Sequence, residues 1–251
     1  MTLDTFSPDI LVPAFLAGLL VLATHVPLGQ QVLRRGIVFI DLAVAQIAAL
    51  GVIAADLMGL KPQGWAVQAA ALTAALAGAS LLTWIENHWP EVQEALIGAV
   101  FVLAASATIL LLSSHPHGGE HLKDLLSGQI LWVTPTQLIP AATVTAAVLV
   151  IWFGCKQRLE HFGFYALFAV AVTASVQLVG IYLVFSSLIL PALAVRNRPP
   201  NQQLATGYII GLLAYAVGLS LSAYFDLPSG AVVVWSLAAL GILANACPHK
   251  L

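Results

Sequence analysis

Apolar residues in this chain come in long unbroken blocks separated by short polar gaps, near 10–33, 37–57, 65–85, 95–114, 136–155, 163–178, 180–195, 204–224 and 229–247. Each block approaches the roughly 20 residues that carry an α-helix across a hydrocarbon core. None shows the strict alternation of a transmembrane strand, so helices are predicted rather than a barrel. The count is about nine spans. Eight is the alternative, because Val176-Gln177-Leu178-Val179-Gly180 barely interrupts a charge-free stretch from Phe162 to Val195.

Composition supports the same picture. With 60% hydrophobic and 8% charged residues in 251, a water-soluble fold would lack the polar surface to cover its exterior. The predicted fold class is all-α, a polytopic transmembrane helical bundle forming a single domain over 1–251. The few cations then set its orientation. If Arg34, Arg35, Lys156, Arg158, Arg196, Arg198 and Lys250 face the cytoplasm, seven of the nine cations lie inside, and Lys61 and Lys123 lie outside. Nine spans make this parity consistent and place the N-terminus outside. Met1 to Asp9 has no cation, unlike the start of a signal peptide, so the first helix is expected to be retained.

The two cysteines, Cys155 and Cys247, fall at cytoplasmic helix ends and are expected to stay reduced. No CxxC pair occurs, so any metal chemistry must use His, carboxylate or amide ligands. There is no nucleic-acid footprint in a chain of net charge −2. A GxxxxGK[ST] phosphate loop is also missing, so the chain is not expected to be an enzyme, and ATP-driven work would need a separate subunit.

The polar residues that interrupt the apolar pattern are the functional candidates. Ser114-His115-Pro116-His117-Gly118-Gly119-Glu120-His121 puts His115, His117, Glu120 and His121 within seven residues on the outer side. Imidazole with carboxylate suits zinc or manganese, while an ordinary exposed loop stands as the equal alternative. Leu122 to Val133 is too short to span and reads as an interfacial connector anchored by Trp132. On the inner side, Glu86 to Glu94 is acidic; a short helix starting at Pro90, with Glu91 and Glu94 in its first turn, would dock a basic cytoplasmic partner, and a solvated loop is the plainer reading.

Inside the spans, Asp41 and Gln46 interrupt the second apolar block, and an intramembrane carboxylate is a functional candidate by default. Five residues apart, they diverge by roughly 140° on a regular helix and do not aim at one ion. Pairing of Asp41 with Arg35 carries equal weight. His25 lies two residues before Pro27, which frees a backbone carbonyl; a structural hydrogen bond is favoured over a ligand role there. Gln177 to Pro191, with Gly180, Ser186 and Ser187, reads as a closely packed, kinked helix, with a pathway lining as the sharper alternative. Asp226-Leu227-Pro228-Ser229-Gly230 reads as a tight outer turn.

Four segments in order, VLRRGIVFIDLAVAQIAALGV, EALIGAVFVLAASATILLL, EHLKDLLSGQILWVT and VQLVGIYLVFSSLILPALAVR with FDLPSGAVVV some 30 residues on, resemble the membrane permeases of zinc/manganese-type bacterial ABC importers, the ABC-3 family. The resemblance covers about residues 14–240. It implies a homodimeric pore in the bacterial inner membrane, a cytoplasmic ATP-binding subunit, and a periplasmic or extracellular metal-binding protein that delivers the ion. No permanently bound cofactor is implied, only a transported divalent metal, zinc first and manganese second. It also makes Glu91, Glu94, Ile97 and Gly98 the ATPase-coupling segment. Family members usually carry Asp-x-x-x-His in the second helix; aligned on Gly51, those positions hold Leu42 and Gln46 here, and Asp41 falls one residue early. A π-bulge would absorb that offset. The metal candidates are therefore Asp41, Gln46, His25, His115, His117, Glu120 and His121. A secondary metal transporter working without an ATPase is the alternative.

Overall fold

The computed structural model describes residues 8–60, 64–112, 126, 130–155 and 161–246. Among these are nine α-helices: α1 (Pro8–Arg35), α2 (Ile40–Leu57), α3 (Trp65–His88), α4 (Gln93–Leu112), α5 (Pro135–Cys155), α6 (His161–Val179), α7 (Ile181–Val195), α8 (Pro200–Phe225) and α9 (Ser229–Ala246). Two single 3₁₀ turns, Pro90–Val92 and Ile130–Trp132, join them, and there is no strand among the described residues. Seven apolar helical stretches are long enough to cross a membrane; Ile181–Val195 and the apolar part of α9 are shorter.

The two short helices have local causes. Gly180 takes φ +81°, a left-handed conformation that a side chain would disfavour, and this residue separates α6 from α7. Nine helices rather than eight follow from that one residue. At the far end of α8, Asp226 caps the helix in the left-handed region at φ 52°. Its turn is tied by Ser222, whose hydroxyl donates to Leu227 O at 2.7 Å and whose carbonyl accepts from Leu227 N–H at 3.1 Å. This is the tight turn expected over 226–230.

Helix α1 is the hub of the bundle, packed against α5, α6, α7 and α8, while α2 packs on α3 and α4, and α6 joins the two groups. The hub contacts are made by small residues. A Cβ on Gly29 would run into the Leu188 carbonyl of α7, and one on Gly18 would enter the Tyr215 ring of α8. Likewise Gly211 of α8 admits Leu22. In contrast, α4 and α5 turn large apolar side chains outward, among them Leu103, Leu110, Ile139 and Val150, as lipid-facing helices do.

Proline inside α1 is handled from outside the helix. Pro27 cannot donate to the carbonyl four residues earlier, and the Tyr208 hydroxyl of α8 donates to that Ala23 oxygen at 2.9 Å. His25, expected as a partner for this freed carbonyl, bonds elsewhere. The interfacial connector is described only at Leu126 and 130–133; there Ile130 is buried and Trp132 is 74% exposed, as an anchor at headgroup depth would be.

Replacing Gly29 by valine should separate α1 from α7 and destabilise the folded protein by roughly 1–3 kcal/mol or more, whereas Gly154→Ala, where a Cβ meets nothing, should be close to neutral. Thermal unfolding of the detergent-purified variants checks this contrast.

Candidate functional site

The polar residues along the chain become a spatial arrangement at one end of the bundle and at two positions within it. At the end where α1, α3 and α7 finish and α4, α6 and α8 begin, the described cations collect. Arg34 donates to Gln203 Oε1 at 2.9 Å, and Gln203 Nε2 donates in turn to Arg198 O at 2.9 Å. Arg198 also reaches Ala244 O at the end of α9, at 3.3 Å. The common side expected for Arg34, Arg35, Arg196 and Arg198 from the nine-span parity is matched by one basic end of the bundle; Lys156, Arg158 and Lys250 lie outside the described residues.

Arg35 defines the second cluster. Its guanidinium stands 3.6 Å from Glu86 of α3 and 4.3 Å over the ring of Phe164 in α6. Beside it Gln93 Nε2 donates to the Tyr165 hydroxyl at 2.6 Å, and Glu94 Oε1 accepts from the Phe39 backbone N–H at 3.1 Å. Four helices and the α1–α2 turn thus meet through side chains. The sequence reading had weighed Arg35 as the partner of Asp41; the structure gives Arg35 to Glu86 instead.

Asp41 is consequently left alone. It is fully buried, and neither carboxylate oxygen has a hydrogen-bond partner. Gln46 is also buried, about 7.5 Å further along the axis. Helix α2 is α-helical along its whole length, so the π-bulge proposed to swing Asp41 into register is absent, and the two side chains stay on diverging faces. His25 is fully buried in α1, with Nδ1 3.0 Å from Val21 O and 3.0 Å from Thr24 Oγ1. A carbonyl only accepts, so Nδ1 carries the proton and Nε2 keeps its lone pair; that Nε2 is buried and unpartnered. The favoured structural hydrogen bond exists, and the nitrogen opposite it retains ligand capacity.

No group of three or more His, Cys, Asp or Glu side chains that could hold a metal occurs among the described residues. The outer candidates His115, His117, Glu120 and His121 lie outside the described residues. Ser187 donates to Leu183 O at 2.7 Å and lies 2.8 Å from the buried Tyr215 hydroxyl, so it serves α7–α8 packing.

The acidic inner segment differs from the expected short helix. It is one 3₁₀ turn running directly into α4. Glu91 is exposed, Glu94 is half-buried and turned toward α2, and Ile97 is wholly buried. These residues and Gly98 do not form a single outward surface. Phe164 and Tyr165 were not singled out from sequence, because both lie inside the sixth apolar block, and Glu86 was read only as the start of the acidic inner segment.

Residues 7–161 and 153–247 match the model of the ABC 3 transport family. The chain belongs to this family. Among ABC-3 relatives, the high-affinity zinc uptake system membrane protein ZnuB of Haemophilus influenzae is 26% identical over 257 residues, spanning 94% of this chain and 97% of that protein. The manganese transport system membrane protein MntC of Halalkalibacterium halodurans is 25% identical over 239 residues, 86% of this chain and 80% of its own. The structure of PsaBC from Streptococcus pneumoniae in complex with Fab shares the fold, with a TM-score of 0.76 at 21% identity over 96% of this chain and 91% of that one. An ABC-3 chain with seven membrane-length helices among its described residues is a membrane-embedded transport subunit.

A double-mutant cycle on Arg35→Ala and Glu86→Ala should return a coupling of about 1 kcal/mol, because the pair is partly buried and the guanidinium also stacks on Phe164. Unfolding midpoints of the four proteins measure it; additive losses would mean the ion pair contributes nothing.

Proposed function

We propose that this chain is the permease subunit of an ATP-driven importer for a divalent transition metal ion, zinc first and manganese second, in the bacterial cytoplasmic membrane. The observation that carries this reading is the family match along nearly the whole chain, with full-length relatives named for zinc uptake and manganese transport. Two copies would form the pore, a cytoplasmic ATP-binding subunit would supply the energy, and an outside metal-binding protein would deliver the ion.

In this reading, His115, His117, Glu120 and His121 receive the ion near the outer mouth. It then passes unpartnered polar groups, His25 Nε2 and the Asp41 carboxylate, and the buried Gln46. A sparse set of donors suits a permease, which must bind its cargo weakly enough to let it go. Access alternates as the ATPase pair closes and reopens against the basic end, meeting the permease at exposed Glu91.

Proteoliposomes holding the permease, its ATPase and its binding protein should take up radiolabelled zinc, and less manganese, only when ATP is on the cytoplasmic side. Flux that needs no ATPase would identify a secondary carrier instead.

Within that assay, Asp41→Asn should lower uptake about tenfold, a change worth about 1.4 kcal/mol, without destabilising the fold, since no protein group depends on the carboxylate. Alanine at His115, His117, Glu120 and His121 together should raise the external metal concentration needed for half-maximal uptake. Unchanged uptake in either variant removes those residues from the pathway.

A further inference from the structure

Helix α2 begins without a cap of its own. Its N-cap residue is Phe39, whose side chain makes no capping hydrogen bond, and the residue three positions on is Leu42. In a capping box that third position holds a Glu or Gln whose side chain reaches back to the N-cap amide. Here the acceptor comes from a different helix: Glu94 Oε1, in the first turn of α4, takes the Phe39 N–H at 3.1 Å, 55 positions away in sequence.

The surroundings fix both ends of this bond. On the α2 side, Gly36 at φ +72° turns the chain sharply, and Ile40 N–H bonds back to Ile37 O at 3.2 Å, so Phe39 has little freedom. On the α4 side, Gln93 is held by Tyr165 and Ile97 is wholly buried. The second Glu94 oxygen is buried without a partner, so the carboxylate is committed to α2 rather than to solvent. Glu91, one turn earlier, is exposed.

We infer that Glu94 is a positioning residue for α2: from the first turn of α4 it completes the N-terminal cap of the helix that carries Asp41 and Gln46. A hydrogen bond of this length tolerates only a few tenths of an ångström before it weakens. Displacement of the 90–98 segment must therefore either pull the start of α2 with it or break the cap. The role in coupling rests on the importer reading above; the cap itself does not. It divides the acidic segment into Glu91, which faces a partner, and Glu94, which conveys the partner's movement inward.

The experiment uses Glu94→Ala, which removes the acceptor, and Glu94→Gln, which keeps it. Hydrogen exchange over residues 36–44 in the purified permease reads the cap without any partner: Glu94→Ala should exchange about five- to tenfold faster at Phe39, as expected for loss of one capping bond, and Glu94→Gln should match the parent. Equal protection in all three proteins overturns the cap. In the reconstituted importer, Glu94→Ala should hydrolyse ATP at the parent rate but move roughly tenfold less metal per ATP, within the range of ordinary coupling energies, and Glu94→Gln should restore the ratio. A normal ratio in Glu94→Ala overturns the coupling role, as does failure of that variant to bind the ATPase, which would make Glu94 a docking residue. Absence of ATP-driven uptake by the parent protein counts against the importer reading, and the exchange result still decides the cap.

Discussion

The structure depends on how closely α1 can approach its neighbours. Hydrocarbon supplies no hydrophobic force between helices, so association rests on close packing and on hydrogen bonds made across the contact. Gly29 lets the α7 backbone come against α1, and Gly18 opens the slot that Tyr215 fills. Only because α8 lies this close can the Tyr208 hydroxyl reach the Ala23 carbonyl that Pro27 leaves free. Close packing and backbone satisfaction are thus one constraint here. A larger residue at either glycine would both open a gap and strand a polar group.

That constraint sorts the bundle into a fixed part and a less fixed part. Helices α1, α7, α8 and α9 meet through small residues and buried hydroxyl bonds such as Ser187 with Tyr215. Helices α2 and α3 also pack on α6, and at the basic end side chains tie α1, α3, α4 and α6 together, Arg35 with Glu86 and Phe164 and Gln93 with Tyr165. Side-chain bonds near an aqueous surface exchange with water more readily than interlocked backbones separate.

Legibility in the sequence followed distance along the chain. The helices, their parity and the collection of arginines at one end could be read from hydropathy and charge, because each depends on composition within a single segment. The turn at 226–230 was readable for the same reason. Gly180 was the deciding residue for the helix count, yet a lone glycine does not announce a positive φ. The expected tie between His25 and the carbonyl freed by Pro27 failed because a tyrosine far along the chain arrives there first. Asp41 lost Arg35 to Glu86 in the same way. Long-range partners were not encoded in any local pattern, and the acidic segment read as one docking surface because sequence cannot tell an exposed Glu91 from a Glu94 already bonded to Phe39.

Asp41, with both carboxylate oxygens unpartnered, and His25 Nε2 are two of the described places where the chain departs from the rule that buried polar groups find partners. An unpartnered buried polar group costs stability on the order of 1–3 kcal/mol, so its persistence asks for a use. Neither residue is packed to chelate an ion within one protomer, since no cluster of three ligands forms among the described residues. Two isolated donors on different helices suit successive, weak contacts better than one tight site. Two ligands on one face of a helix would hold an ion at a point, whereas Asp41 and Gln46 stay on diverging faces of α2.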